Sequence, residues 1–103
     1  MSKRRQVRVD QRFFDQLDAQ LGEGRDSAGA PSSTDFLLHD LPPIAEAFAV
    51  EFYDLPKPVP GRPDYRMVIT AGSLVAGVSV VGQLLPDGSI LLLGVELDLT
   101  GNW

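Results

Sequence analysis

The fold is decided by residues 64–99, which read DYRMVITAGSLVAGVSVVGQLLPDGSILLLGVELDL. Two turn signals, Ala-Gly-Ser at 71–73 and Pro-Asp-Gly at 86–88, divide this stretch into three segments rich in aliphatic residues. Apolar residues alternate with polar or small ones along these segments, which is the period of a half-buried strand. The pattern predicts a three-stranded antiparallel meander. Its strands are expected at about 65–71, 74–85 and 89–98.

The same alternation assigns each side chain to one of the two faces of this sheet. The face expected to form the core comprises Tyr65, Met67, Ile69, Ala71, Leu74, Ala76, Val78, Val80, Gly82, Leu84, Leu91, Leu93, Val95, Leu97 and Leu99. The opposite, open face is expected to carry Arg66, Thr70, Ser79, Gln83, Glu96 and Asp98, together with the apolar Val75, Ile90 and Leu92. With two tight hairpins, Arg66, Ser79 and Glu96 would lie in one row across the sheet.

The segment before the meander has the spacing of helices. Phe13, Phe14, Leu17 and Leu21 follow the capping residue Asp10 at helical intervals, which predicts a helix at 11–21. A short strand is expected before it, at 6–9. The next apolar stripe advances in steps of three and four through Leu37, Leu41, Ile44, Phe48, Phe52 and Leu55.

Two adjacent prolines interrupt this second stripe at Pro42 and Pro43. Proline removes a backbone donor and clashes with the preceding turn, so the stripe predicts either a kinked helix or two abutting helices, with Asp40 as the cap of the second. An alternative interpretation makes 47–54 a strand, because Phe48, Val50 and Phe52 also alternate. The helix is favoured because it continues the phase of the preceding turns. Four prolines between 55 and 63 predict an extended connector.

These elements predict one α+β domain over residues 1–103. Its order is a strand, two helices with the second kinked at Pro42-Pro43, and the antiparallel meander, with the helices packed on one face of the sheet. Residues 1–5 are expected to be a basic tail. Residues 22–33, rich in Gly, Ser, Ala and Pro, are expected to be a mobile loop.

Composition restricts the classes of function. The chain has 103 residues, a net charge of −5 and no cysteine, which excludes disulfides and thiolate metal sites. No apolar run approaches the roughly 20 residues that span a bilayer, so we expect no membrane partner. We expect a cytoplasmic protein without cofactor or metal. The positive charge is concentrated in residues 1–12, and no lysine or arginine follows Arg66.

Three segments resemble the RelE/ParE family of toxins from bacterial toxin–antitoxin pairs. The opening strand and helix, VRVDQRFFDQL at 7–17, is similar to the start of that family. DYRMVI at 64–69 resembles its strand with a Tyr-Arg pair, and DGSILLLGV at 87–95 resembles its apolar last strand. The order of elements is similar over most of the chain.

The resemblance implies a toxin-like protein that an antitoxin-like partner binds, and that acts on ribosome-bound mRNA or another cellular target. If the chain is an enzyme, it would be a ribosome-dependent endoribonuclease, and Arg66 would be its catalytic cation. The residues expected to contact nucleic acid are Lys3, Arg4, Arg5 and Arg8.

The charge of the last strand departs from the family pattern. The family ends this strand in a basic signature, whereas this chain reads Gly-Val-Glu-Leu-Asp at 94–98. Carboxylates and a net charge of −5 repel a phosphate backbone, which disfavours RNA or the ribosome as a partner. The alternative is therefore a non-catalytic RelE/ParE-like module that binds a protein and has no nuclease activity.

Overall fold

A computed structural model of the chain describes residues 4–21 and 32–99. Its strands are β1 (Val7–Val9), β2 (Tyr65–Thr70), β3 (Gly77–Leu84) and β4 (Ile90–Asp98). Its helices are α1 (Gln11–Leu21), α2 (Ser33–His39), α3 (Leu41–Glu51) and a 3₁₀ turn at Phe52–Asp54. No helix within the described ranges combines the length and apolar character needed to cross a membrane.

The four strands form one mixed sheet in the order β1-β4-β3-β2. β2, β3 and β4 are antiparallel neighbours, which confirms the predicted meander. β1 pairs in parallel with the first residues of β4 and extends the sheet on that side. The α+β class is confirmed, and helices pack against the sheet.

The helical predictions are confirmed with one refinement. α1 occupies the predicted 11–21, and the second stripe forms two abutting helices rather than one kinked helix. Pro42 and Pro43 lie in the first turn of α3, where a missing N–H removes no helical hydrogen bond. The alternative strand at 47–54 is wrong, since α3 and the 3₁₀ turn occupy it.

The start of α2 is fixed by a capping box at Ser32. Ser32 and Ser33 are buried there. The Ser32 hydroxyl accepts from the Asp35 N–H at 3.1 Å while the Asp35 carboxylate accepts from the Ser32 N–H at 3.0 Å. The rest of the predicted mobile loop, residues 22–31, lies outside the described residues, and so do residues 1–3 of the predicted basic tail.

Asp40 has a different role from the one predicted. It stands at the start of α3, but its side chain makes no cap hydrogen bond there. Its buried carboxylate accepts instead from the Ser73 N–H at 2.7 Å, the Leu74 N–H at 3.1 Å and the Ser73 hydroxyl. Asp40 therefore ties the α2–α3 junction to the loop between β2 and β3.

One face of the sheet, here called the helix face, carries the core. The fully buried side chains with the largest volume are Phe13, Phe36, Phe48, Leu17, Ile90, Leu92 and Val80. Gly82 lies on this face beneath α3, where an added Cβ would come within 2.8 Å of the Phe48 ring. The missing side chain therefore allows the helix to approach the sheet closely.

The predicted faces are inverted in β2. Met67 pairs with Val81 and Ile69 with Ser79, so Tyr65, Met67 and Ile69 lie on the open face. Arg66 and Val68 lie on the helix face, where Val68 packs against the core. The prediction failed because the alternating apolar residues of this strand, Tyr65, Met67 and Ile69, were expected to face the core.

The predicted faces are also inverted in the first half of β4, for a different reason. Ile90 and Leu92 are buried in the core, where Leu91 and Leu93 were predicted. The pairing shifts by one residue opposite Val81/Gly82, which leaves Leu93 as an extra residue in the strand. Such a β-bulge reverses the alternation beyond it, so Val95 and Leu97 return to the helix face as predicted.

Helix α1 covers the edge of β4 beyond the end of β1. The Gln16 Oε1 atom accepts from the Val95 N–H at 3.0 Å. One turn later, the Gln20 Nε2 donates to the Val95 carbonyl at 2.9 Å and its Oε1 accepts from the Leu97 N–H at 2.8 Å. Two glutamines at i and i+4 thus supply the hydrogen bonds that a neighbouring strand would have made.

Candidate binding surface on the open face of the sheet

Residue pairing between the strands builds the open face in rows. Ser79 lies directly opposite Glu96, as predicted. The third member of that row is Ile69 rather than Arg66, so the predicted Arg66–Ser79–Glu96 row is wrong. The neighbouring row is Met67, Val81 and Gly94, and the row beyond it is Tyr65, Gln83, Leu91 and Arg8.

A groove of about 640 Å³ lies between this face and α1. Met67, Val81 and Gly94 line its floor, and Ser79 and Glu96 line one end. Its wall is made by the α1 residues Gln16, Ala19 and Gln20. A Cβ at Gly94 would lie 3.2 Å from the Gln16 amide oxygen, so glycine there makes room for the glutamine that bonds β4. The groove, referred to below as the α1 groove, has an uncharged floor and one acidic end.

Glu96 gives that end its charge. Its side chain is exposed, and it forms no ion pair with any residue that the structure describes. Asp98 is exposed on the same face, opposite Gly77. The open-face predictions for Ser79, Gln83, Glu96 and Asp98 therefore agree with the register. Thr70 does not, because it pairs with the core residue Val78 and lies on the helix face.

Arg66 is buried on the helix face and is only 4% exposed. Its guanidinium donates to four backbone carbonyls, those of Phe52 at 3.3 Å, Tyr53 at 2.8 Å, Leu55 at 3.1 Å and Pro63 at 3.0 Å. It also lies 5.2 Å from the ring centroid of Phe52. These contacts join the end of α3 and the proline-rich connector to β2, and they turn the guanidinium away from the open face.

The described arginines outside the core are engaged with groups of the chain itself. Arg4 pairs with Glu46, Arg8 with Asp87, Arg12 with Asp10, and Arg62 with Asp64. Arg5 donates to the Gly88 carbonyl at 3.2 Å and lies 5.3 Å from the Tyr53 ring centroid. Of the residues predicted to contact nucleic acid, Arg4, Arg5 and Arg8 are therefore bound internally, and Lys3 lies outside the described residues.

Hydrogen bonds from arginine and from the backbone lower the pKa values of three carboxyl groups. Arg62, with help from Gln83, lowers the pKa of Asp64 to about 2. The pKa of Asp10 is lowered by Arg12, and that of Asp87 is lowered mainly by the Ser89 hydroxyl and N–H. These carboxylates stay ionised in the neutral range and hold their arginines and turns in place.

The row at the other end of the open face contains one aromatic side chain. Tyr65 lies there, with the Arg62 guanidinium 4.7 Å from its ring centroid. Gln83, beside it, donates to the Asp64 carboxylate at 3.1 Å. Arg62 and Gln83 therefore share Asp64, and the charges at this end are balanced.

The open face offers an apolar floor and one acidic end for contact with another molecule. Within residues 4–21 and 32–99, no group of three His, Cys, Asp or Glu side chains is placed to hold a metal ion. The single histidine, His39, is exposed at the end of α2 and lines a hollow on the helix face. An apolar floor with an acidic end fits a protein partner better than a phosphodiester.

Several residues of this surface were missed by reasoning from the sequence. Tyr65, Met67 and Ile69 were assigned to the core because they are apolar. Gln16 and Gln20 lie outside the apolar stripe that predicts α1, and their spacing of four residues places both on one side of the helix. A pair of amide side chains four residues apart is the one sequence signal for this contact with β4. Many exposed helix surfaces carry the same pair, so the signal is weak.

Comparisons of the chain with protein-family models, with curated proteins and with solved structures gave no match.

Proposed function

We propose that this protein is a non-catalytic RelE/ParE-like module that binds an antitoxin-like protein partner in the cytoplasm. The partner is held on the open face, in the α1 groove. The observation that carries the proposal is the groove itself, which offers Met67 and Val81 on an uncharged floor and Glu96 at one end. A partner with an apolar ridge and a lysine or arginine beside it is complementary to this surface.

The position of Arg66 supports a binding role over a nuclease role. A cation that stabilises a reacting phosphate needs free donors that point at the substrate. The Arg66 donors are occupied by backbone carbonyls on the helix face. The engaged surface arginines and the net charge of −5 add to this argument, because binding RNA would require positive charge on the open face.

The binding proposal is tested with the protein encoded by the neighbouring gene. We expect the two purified proteins to form a complex, and Val81→Lys in the floor of the groove to weaken it at least about tenfold. Leu38→Lys is the matched control, because Leu38 is 65% exposed on α2, away from the groove. Isothermal titration calorimetry measures both. Failure of the two proteins to bind, or equal losses in both variants, would contradict the proposal.

The absence of nuclease activity is tested separately. We expect overexpression in a bacterial host to leave growth unchanged, and purified protein added to translating ribosomes to leave the mRNA intact. A toxin of the RelE/ParE family expressed from the same promoter is the positive control. Growth arrest together with ribosome-dependent cleavage would overturn the non-catalytic assignment, whatever the result of the binding experiment.

A further inference from the structure

Strand β2 forms the edge of the sheet opposite β1. The Leu84 N–H donates to the Asp64 carbonyl at 2.7 Å, which fixes how the ladder alternates. In an antiparallel pair, alternate residues bond the neighbouring strand. Residues 64, 66, 68 and 70 therefore bond β3, and the backbone groups of Tyr65, Met67 and Ile69 point away from the sheet.

The first half of this outer edge is covered by the chain itself. The Tyr65 N–H donates to the Arg62 carbonyl at 3.2 Å, and the Met67 N–H donates to the Pro56 carbonyl at 3.0 Å. Within the part of the chain that the structure describes, the cover ends there. The Met67 carbonyl and both backbone groups of Ile69 have no hydrogen-bond partner among the described residues. The Ile69 side chain is 69% exposed, the most exposed of the large apolar side chains described.

A hollow of about 350 Å³ lies on the helix face beside this part of β2. Val68 and Thr70 line it from the strand, and Pro43 and Ala47 line it from α3. Side chains of a strand alternate between the two faces. A strand added next to Ile69 would therefore place one side chain beside Ile69 and its neighbours over this hollow.

We propose that residues 67–70 of β2 form a strand-addition site for an extended, lysine-bearing segment of a partner protein. Unpaired main-chain groups provide binding in this mode, and hollows for alternate side chains provide selectivity. Valine or a residue of similar size fits the hollow on the helix face. Lysine is favoured at the alternate positions, because the chain carries a net charge of −5 and Glu96 and Asp98 lie on the open face.

This site goes beyond the proposed binding function, because it uses the edge of β2 and not the α1 groove. The other side of the sheet is not equivalent to it. Along β4, Gln16 and Gln20 already occupy the backbone groups of Val95 and Leu97. Strand addition is therefore directed to β2.

The test uses a fluorescent synthetic peptide of alternating lysine and valine, about ten residues long, and a glutamate–valine peptide of the same length. We expect saturable binding of the lysine–valine peptide in fluorescence anisotropy, and binding at least about tenfold weaker for the glutamate–valine peptide. In a ¹⁵N–¹H spectrum, the Ile69 amide signal should shift on titration.

The discriminating variant is Ile69→Pro. Proline at this position removes the outward N–H and leaves the hydrogen bonds between β2 and β3 in place, which an edge strand tolerates. We expect it to weaken peptide binding at least about tenfold, and Ile69→Thr, which keeps the N–H, to weaken it by less than about threefold. The β3 and β4 amide signals show whether the Ile69→Pro protein is folded. If the Ile69→Pro protein is not folded, the Ile69→Lys protein and an N-methylated peptide are tested in its place.

Three results would overturn the proposal. The first is no binding of the lysine–valine peptide at about 1 mM. The second is equal binding by the Ile69→Pro and Ile69→Thr proteins, or undiminished binding of the N-methylated peptide. The third is a dimer of the free protein in analytical ultracentrifugation that Ile69→Pro abolishes, because the edge would then pair with a second copy of this chain. None of these depends on Val81, so failure here is distinguishable from failure of the groove proposal.

Discussion

At the scale of single residues, Arg66 is the clearest case of a charged side chain used for structure. It donates to carbonyls of the 3₁₀ turn after α3 and of the connector, of which only that of Phe52 also accepts a backbone N–H, from Leu55. Buried carbonyls left without donors cost free energy, so this arginine stabilises the path of residues 52–63. A loss of activity in an Arg66 variant would therefore report misfolding before it reported chemistry.

Arg66→Ala should lower the free energy of unfolding by about 3 kcal/mol or more, because several carbonyls lose a charged donor and a buried cavity forms. Arg4→Ala is the control, since Arg4 is exposed and pairs with Glu46 at the surface. That change should have a much smaller effect, because water screens an exposed ion pair. Urea denaturation measures both, and equal losses in the two variants would contradict a structural role for Arg66.

The position of Arg66 could not be predicted from the sequence. A single arginine among Tyr65, Met67 and Ile69 has the pattern of an exposed residue on a strand whose apolar side chains face the core. The face on which Arg66 lies depends on the carbonyls of residues 52–55 and 63, which bind its guanidinium and are not part of the strand. The expected Ser79–Glu96 pair is present, but it depends on the bulge at Leu93, since the register next to the turn would place Ser79 opposite Val95.

At the scale of elements, α1 acts on β4 through its polar side as well as its apolar side. Phe13 and Leu17 are buried in the core, while Gln16 and Gln20 bond the strand edge. The boundaries of α1, β2 and β4 follow from periodicity, and the sequence predicted them closely. The extra residue in β4 could not be predicted, because the aliphatic run ILLL at 90–93 has no polar residue to show a change of phase.

The double variant Gln16→Ala/Gln20→Ala should lower the free energy of unfolding by about 2 kcal/mol, because three hydrogen bonds to the β4 edge are lost and water replaces them only in part. Amide exchange at Val95 and Leu97 should become faster. Gln11→Ala is the matched control, since the Gln11 amide bonds only Asp15 within α1. Unchanged exchange at Val95 and Leu97 would show that the glutamines do not protect this edge.

At the scale of the whole molecule, the net charge is −5, and four of the described arginines, Arg4, Arg8, Arg12 and Arg62, are paired with carboxylates. This distribution makes stability depend on pH through the carboxyl groups with lowered pKa values. Asp64 has a pKa of about 2 in the folded protein, against an ordinary 3.8. The unfolded chain therefore takes up this proton first as the pH falls.

Asp64 should accordingly stabilise the fold fully above about pH 5, and this contribution should be lost as the pH falls through 3.8 towards 2. Asp64→Asn should flatten the decline of the unfolding free energy between about pH 4 and pH 2. Arg62→Ala should remove most of the same effect, because Arg62 is its main cause, and the double variant should add little. Urea titrations at several pH values test this. An Asp64→Asn protein with the wild-type pH dependence would contradict it.

The two sides of the sheet differ in a way that limits polymerisation. A fibre of stacked strands grows only if each molecule presents two pairing edges, one for the molecule before it and one for the molecule after it. Here β1 is three residues long and glutamine amides bond the β4 edge beyond it, whereas the Ile69 backbone of β2 has no partner in residues 4–21 and 32–99. Among the described residues, the longer unpaired edge therefore lies on one side of the sheet only, which disfavours growth of a fibre through strand pairing.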